Sequence, residues 1–386
     1  MQTNEPAQVA ADLARRSLHA RSEQLPGSVA LPRQSLIQAE AALMWSERHD
    51  ELRPLLDTAI RDARNSGDAL LLAGSLAYRA WLALHLGDLR AAETDARTAL
   101  EAVGMPVPAF HRVLNTAAAV DALTGQGRLD DAEKLLAAEN DLVDGGMPYD
   151  ASLRLSRGRL RLAQLRADEA LADFLGAGGV AMRLGLDSPS WIPWRSCAAL
   201  ACLALGDGDR ARQLAQGELA LARTFGAPRT LGVALHTAGL AAVGGDGEGL
   251  LREAIPSLGR AGAVLDRARA LCDLGAWLRR GNRRADSREL LREALDVAHR
   301  AGAAPLAARA ETELRAAGAR PRRAVLTGAD AMTASERRIA ELAAAGLTNR
   351  QIAQALFITA RTVEGHLTSI FRKLAIDSRE HLSTAL

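Results

Sequence analysis

Glycines recur along this chain at a near-constant interval, and that interval restricts the fold more than any other feature. Gly67, Gly104, Gly145, Gly185, Gly226, Gly262 and Gly302 each follow an amphipathic stretch, in steps of 37, 41, 40, 41, 36 and 40 residues. Glycine is favoured just past a helix because it enters the left-handed region freely. A second series falls between the first: Gly87 in G-D-L-R-A-A, Gly127 in G-R-L-D-D-A, Gly206 in G-D-G-D-R-A, Gly244, and Gly281 in G-N-R-R-A. Leu165 to Ala170, L-R-A-D-E-A, holds the same place without glycine. Each unit therefore reads as helix, tight turn, helix, glycine stop. Ala91, Ala132, Ala170 and Ala211 after the turns let paired helices approach closely. One such pair cannot bury its apolar face alone, but a stack of pairs shares a continuous core.

This pattern resembles a tetratricopeptide-like solenoid with somewhat long units. The resemblance implies a curved array whose concave side takes a peptide, a protein or a small ligand. The expected fold is all-α: a tetratricopeptide-like helical-repeat solenoid over 31–316, then a small helix-turn-helix domain. The helix before Gly27, about Ala7 to Glu23, reads as a capping helix or as half of a unit, giving an N-terminal segment of 1–30.

Several chemistries are excluded by what the chain lacks. Its 386 residues hold only two lysines, Lys134 and Lys373, and neither follows a glycine, so there is no Gly-Lys-Ser/Thr phosphate loop. No G-x-G-x-x-G follows a strand-like run. The stretch from Thr230 to Gly245 carries no Asp, Glu, Lys or Arg but is shorter than the roughly 20 residues that span a bilayer. Met1 to Leu18 has no signal-peptide core. Cys197, Cys202 and Cys272 form no C-x-x-C, which points to a reducing, cytoplasmic setting without zinc or disulfides. His19, His49, His85, His111, His236 and His299 show no ligand spacing, and Asp130 and Asp131 read as first-turn helix residues. Trp191 and Trp194, in S-W-I-P-W-R, read as packing residues rather than a stacking site. No catalytic constellation, metal site or cofactor site is expected, so the chain reads as a non-enzyme.

The texture changes near the C-terminus. Residues 317–330 form a linker bearing proline and arginine, and helix signals become dense from Thr333. T-A-S-E at Thr333–Glu336 and T-N-R-Q at Thr348–Gln351 are capping boxes, each opening a helix. The first carries Ile339, Leu342 and Ala343 and is closed by Gly346; the second carries Ile352, Ala353 and Leu356. Phe357 and Ile358 make an apolar turn, and Thr359 caps a third helix with Val363, Leu367, Ile370, Phe371 and Leu374. D-S-R-E at Asp377–Glu380 starts a fourth. Two short helices joined by about three residues give a helix-turn-helix pattern. From Arg315 onward there are 11 basic and 6 acidic residues, while the preceding 314 hold 37 and 40. The basic end suits phosphate.

The run from Met332 to about Leu382 resembles the LuxR-type helix-turn-helix domain, with G-L-T-N-R-Q-I-A at Gly346–Ala353, T-V-E-G-H at Thr362–His366 and K-L at Lys373–Leu374. The wording L-F-I-T and V-E-G-H-L, with helical repeats upstream, looks most like the C-terminal part of large ATP-binding LuxR regulators. The resemblance implies a DNA-binding domain over 331–386. It implies base contacts from Glu364, Gly365 and Thr368, with Val363 beside them. Phosphate contacts fall to Thr348, Asn349, Arg350, Thr359, Arg361, Thr362, Arg372 and Lys373. Pairing of two copies on double-stranded DNA would use Leu382 and Leu386. Four positions depart from the family: Glu364 is acidic where many relatives are basic, Gly365 has no side chain, and Ser335 and Met332 replace an arginine and a leucine. His366 reads as a residue of packing or of an intradomain hydrogen bond. The function expected is a cytoplasmic, DNA-binding transcription regulator whose repeats bind a protein or small-molecule effector, with no membrane partner. The alternatives are a repeat-based adaptor or the C-terminal fragment of an ATP-dependent regulator.

Overall fold

A computed structural model describes residues 6–24, 33–101, 109–138, 150–319, 332–374 and 376–386. Among them every regular element is helical. Helix α1 (Pro6–Gln24) precedes seven antiparallel pairs and a single closing helix. The pairs are α2 (Arg33–Trp45) with α3 (His49–Ser66), α4 (Ala69–Leu86) with α5 (Leu89–Glu101), and α6 (Ala109–Gln126) with α7 (Leu129–Ala137). They continue with α8 (Asp150–Ala163) and α9 (Ala167–Arg183), α10 (Trp194–Ala204) and α11 (Gly208–Phe225), and α12 (Pro228–Ala241) and α13 (Asp246–Arg260). The last is α14 (Val264–Arg280) with α15 (Arg284–Ala301), followed by α16 (Ala304–Ala316).

The glycine register is realised as helix stops. Gly67, Gly185, Gly226, Gly262 and Gly302 all have positive φ, as do the intra-unit Gly87, Gly127, Gly206 and Gly244. Gly27, Gly104 and Gly145 lie outside the described residues. Two turns depart from the reading. In G-N-R-R-A the left-handed residue is Asn282, not Gly281. In L-R-A-D-E-A the turn puts Leu165 itself at φ 64°. Small residues then let the paired helices close: Ala132, Ala170 and Ala211 are fully buried, and Ala92 rather than Ala91 fills that place in the second pair. Ion pairs sit at repeated offsets. Arg79–Asp95 and Arg157–Asp173 both join the two helices of a unit across 16 residues. Asp121–Arg159, Arg229–Asp266 and His236–Asp273 join one unit to the next.

The array curls until early units meet late ones. The Glu47 carboxylate accepts from the backbone N–H groups of Arg229 and Thr230, at 2.6 and 2.8 Å, and so caps the start of α12. Trp45 stacks on Trp191 at 6.0 Å. Leu89 joins the core of α14–α16, and Gly127 faces Pro305. Trp191 and Trp194 also bond Ser152 and Asp187 through their indole N–H groups, as packing residues do. Early and late units of the array are therefore in direct contact at these points. Helix α4 is long and apolar enough to cross a membrane, but it is a core helix of this array, with Leu76, Ala77, Ala80 and His85 buried.

Candidate nucleic-acid interface

C-terminal to the array, three helices build a second, small core: α17 (Ala334–Ala344), α18 (Asn349–Leu356) and α19 (Ala360–Leu374); most of the expected linker, 320–330, lies outside the described residues. A single 3-10 turn, Arg379–His381, and the short α20 (Leu382–Ala385) close it. Both capping boxes form. Thr333 and Thr348 each accept from the N3 backbone, while Glu336 and Gln351 reach back to the cap N–H. Thr359 accepts from Thr362 N–H at 3.1 Å and starts α19. Met332, Ile339, Ile352, Val363, Leu367 and Ile370 fill the core between the helices. Phe357 makes the turn between α18 and α19 in the left-handed region.

Burial on one side of α19 determines exposure on the other. Thr348, Arg350, Thr359, Arg361, Glu364, Gly365, Thr368 and Arg372 are exposed, and Asn349 and Thr362 half-buried. The exposed set forms a polar face with three arginines, Arg350, Arg361 and Arg372. Thr368 donates to the Glu364 carbonyl at 2.9 Å, and its oxygen remains able to accept. Asn349 Oδ1 accepts from Arg379, whose guanidinium also reaches the Ala343 and Leu347 carbonyls. Sequence reasoning missed Arg379; no local motif marks a residue that ties the last turn back to the α17–α18 corner.

Three residues of the expected site lie elsewhere. Val363 is wholly buried in the core. Leu382 is wholly buried there too, so it belongs to the fold of the domain rather than to a surface that pairs two copies; Leu386 is exposed. Lys373 is turned inward: its ammonium lies 2.6 Å from the Glu336 carboxylate, which is itself 0% exposed. Ser369 Oγ and Thr333 N–H also donate to that carboxylate, each at 2.8 Å. Burial pushes the Glu336 carboxyl up, but these donors outweigh it and hold it at about 2. The ammonium read from the sequence as a phosphate contact is thus the counter-ion of a buried capping box.

The domain also touches the repeats. Arg64 Nη2 donates to the Phe357 carbonyl at 2.6 Å, and Arg61 and Arg64 lie over its ring at 5.9 and 5.0 Å. Arg90 reaches Glu336 at 3.3 Å, and the Ser335 hydroxyl bonds Asp88. Ser335, a departure from the family pattern, is therefore a contact to the array. Burial lowers the half-buried His366 imidazole's pKa, and it faces this seam. These contacts fall on the opposite side of α19 from Glu364 and Thr368.

Residues 330–385 match the model for bacterial regulatory proteins of the luxR family. This segment is a LuxR-family helix-turn-helix domain. It is 42% identical over 55 residues to Rv0890c of Mycobacterium tuberculosis and to Mb0914c of Mycobacterium bovis, both named as HTH-type transcriptional regulators. That likeness covers 14% of this chain and only 6% of each relative, so it concerns the LuxR-family domain alone. The repeats have their own likeness: a Rap protein complexed with competence and sporulation factor aligns with a TM-score of 0.53 at 11% identity, over 81% of this chain and 93% of that one. It supports the helical-repeat fold. A signal transduction ATPase with a tetratricopeptide repeat sensor, from Pyrococcus horikoshii, aligns with a TM-score of 0.40 at 13% identity, over 81% and 52% of the two chains.

Proposed function

We propose that this chain is a cytoplasmic, non-catalytic transcription regulator that places α19 in the major groove of double-stranded DNA. The supporting observation is the exposed face of Arg350, Arg361, Glu364, Thr368 and Arg372, turned away from the repeats while the domain is docked on them. Helix N-termini capped by Thr348 and Thr359 add backbone N–H groups that suit phosphate. Glu364 can accept from cytosine N4, and the three arginines meet the backbone. Two copies on one site would pair through the exposed Leu386 end. The repeats carry an effector site; the Rap protein, complexed with competence and sporulation factor, is a precedent for a factor bound by a protein of this fold.

The test is site selection from a random duplex library with the full chain, followed by salt titration on the selected site. Each of Arg350→Ala, Arg361→Ala and Arg372→Ala is expected to lower the log–log salt slope by about 0.9. Slopes unchanged in all three variants, or no selected site, would reject this reading.

A further inference from the structure

We propose that the seam between the LuxR-family domain and the repeats is a binding site for a small organic anion with an apolar body. A cleft of about 500 Å³ opens between α3, α4 and α5 on one side and α17, the Phe357 turn and His366 on the other. That size falls in the range of small-molecule sites, roughly 300–1,000 Å³. Its apolar lining comes from both regions: Leu82 and Leu86 from α4, Ile339 from α17, and Leu356 and Ile358 beside the turn.

The charges around it are unevenly satisfied, and this selects the ligand. Arg79 pairs with Asp95 at 2.7 Å and lies 3.9 Å from Asp57. Asp88 caps the Ala91 N–H and accepts the Ser335 hydroxyl. The carboxylates of the cleft thus already have partners. Arg53, Arg61 and Arg338 also line it, and no hydrogen bond or ion pair holds their guanidinium groups among the described residues; Arg61 lies only over the Phe357 ring. Two uncommitted cations, Arg53 and Arg338, together with Arg61 held only by the Phe357 ring, around an apolar floor recognise a carboxylate or sulfonate on a hydrophobic body.

DNA phosphate is the other polyanion at hand, but it approaches from elsewhere. His366 lines the cleft, whereas Glu364 and Thr368 lie two residues away on either side, about 200° around the helix. A ligand here would touch Arg53 and Arg61 of the repeats and Arg338 of the LuxR-family domain together, and so clamp the seam. This deepens the effector reading above, and its control of DNA binding rests on that reading; occupancy of the cleft does not.

The experiment is calorimetric titration of the full chain, without DNA, using decanoate and decanol below their aggregation concentrations. One decanoate per chain is expected, bound at least tenfold more tightly than decanol. Arg53→Ala, which removes no contact to the LuxR-family domain, and Arg338→Ala should each weaken decanoate about tenfold, while Arg183→Ala, at the end of α9 and not among the residues lining the cleft, should not. Equal binding of decanol, several weak sites, or affinity indifferent to both cleft arginines would overturn the proposal. So would variants that lose DNA affinity but keep decanoate affinity, since the arginines would then serve phosphate. Because the titration contains no DNA, its failure is separate from any failure of the DNA-binding reading.

Discussion

The array and the LuxR-family domain solve burial in opposite ways. The array distributes its core over many small helix contacts, with alanines at the close approaches and ion pairs repeated from unit to unit. The C-terminal domain has about ten buried apolar residues and one wholly buried carboxylate, Glu336, on which Lys373, Ser369 and Thr333 converge. A solenoid adds stability unit by unit, so the loss of one contact is shared with its neighbours. A domain of this size has little surplus, and the loss of one buried pair falls on the whole fold.

The sharpest way to test that contrast is Lys373→Ala. It leaves the wholly buried Glu336 carboxylate with Arg90, at 3.3 Å across the seam, as its remaining cation, against the about 3–5 kcal/mol that breaking a buried pair outright typically costs. Hydrogen exchange on the full chain should show residues 332–386 losing protection while α10–α15 keep theirs. A stably folded variant whose only defect is a shallower salt slope would restore Lys373 as a phosphate contact.

Next in size is an opposed response to pH. Glu336 is held at about 2, below its ordinary 4.5, so its contribution is present above pH 4.5 and is lost as pH falls toward 2. At about 1.4 kcal/mol per unit this amounts to roughly 3 kcal/mol. In the array, burial raises Glu40 and Glu218 to about 8, opposed only by the Ser75 hydroxyl and by Arg195 at 3.8 Å, respectively. Their contribution is present below pH 4.5 and fades as pH rises through 8. Alkalinisation should therefore reduce protection in the array before the LuxR-family domain, while strong acidification removes the Glu336 contribution from the LuxR-family domain. Glu40→Gln and Glu218→Gln together should flatten the alkaline limb alone; an unchanged limb would remove these carboxyls as its cause.

How much of this was legible depended on how local the cause is. The capping boxes at Thr333 and Thr348 involve residues three apart, and both formed as read. The glycine stops are equally local, and the described glycines of the register take the left-handed turn position except Gly281, where Asn282 takes it. Lys373 and Leu382 were misplaced because a family motif gives position along a helix, not which side the core claims. Glu47 capping α12 and Phe357 between Arg61 and Arg64 join segments 182 or more residues apart, and no spacing in the sequence encodes such a meeting. The curl of the array, and with it the seam cleft, arises from contacts of that kind.

Close approach within a unit can be tested at Gly158, on α8 against α9. A Cβ there would stand 2.4 Å from the Phe174 ring, which is itself fully buried and has nowhere to retreat. Gly158→Ala should cost about 1–3 kcal/mol through overpacking, against a gain of at most about 1 kcal/mol from helix propensity. Urea unfolding should show a lowered midpoint with little change in slope. A higher midpoint would mean that the pair can spread without penalty.

The smallest effect is expected at Leu165, where the repeat pattern lacks its glycine. The backbone adopts φ 64° there all the same, because the turn from α8 to α9 requires it: Arg166 N–H must reach the Arg161 carbonyl, at 2.8 Å. The side chain is 91% exposed, so it gives almost no burial in return for a left-handed conformation that costs a branched residue about 1–2 kcal/mol. Glycine removes that cost but adds roughly 0.5–1 kcal/mol of unfolded-chain entropy. Leu165→Gly should therefore stabilise the array by a few tenths to about 1 kcal/mol, seen as a small rise in urea midpoint. Gly206→Leu makes the converse change at the equivalent turn between α10 and α11, where no atom lies within 4 Å of the added Cβ and only the φ of 81° opposes it. It should destabilise by a similar amount. If both changes shift the midpoint in the same direction, backbone handedness is not what the missing glycine costs.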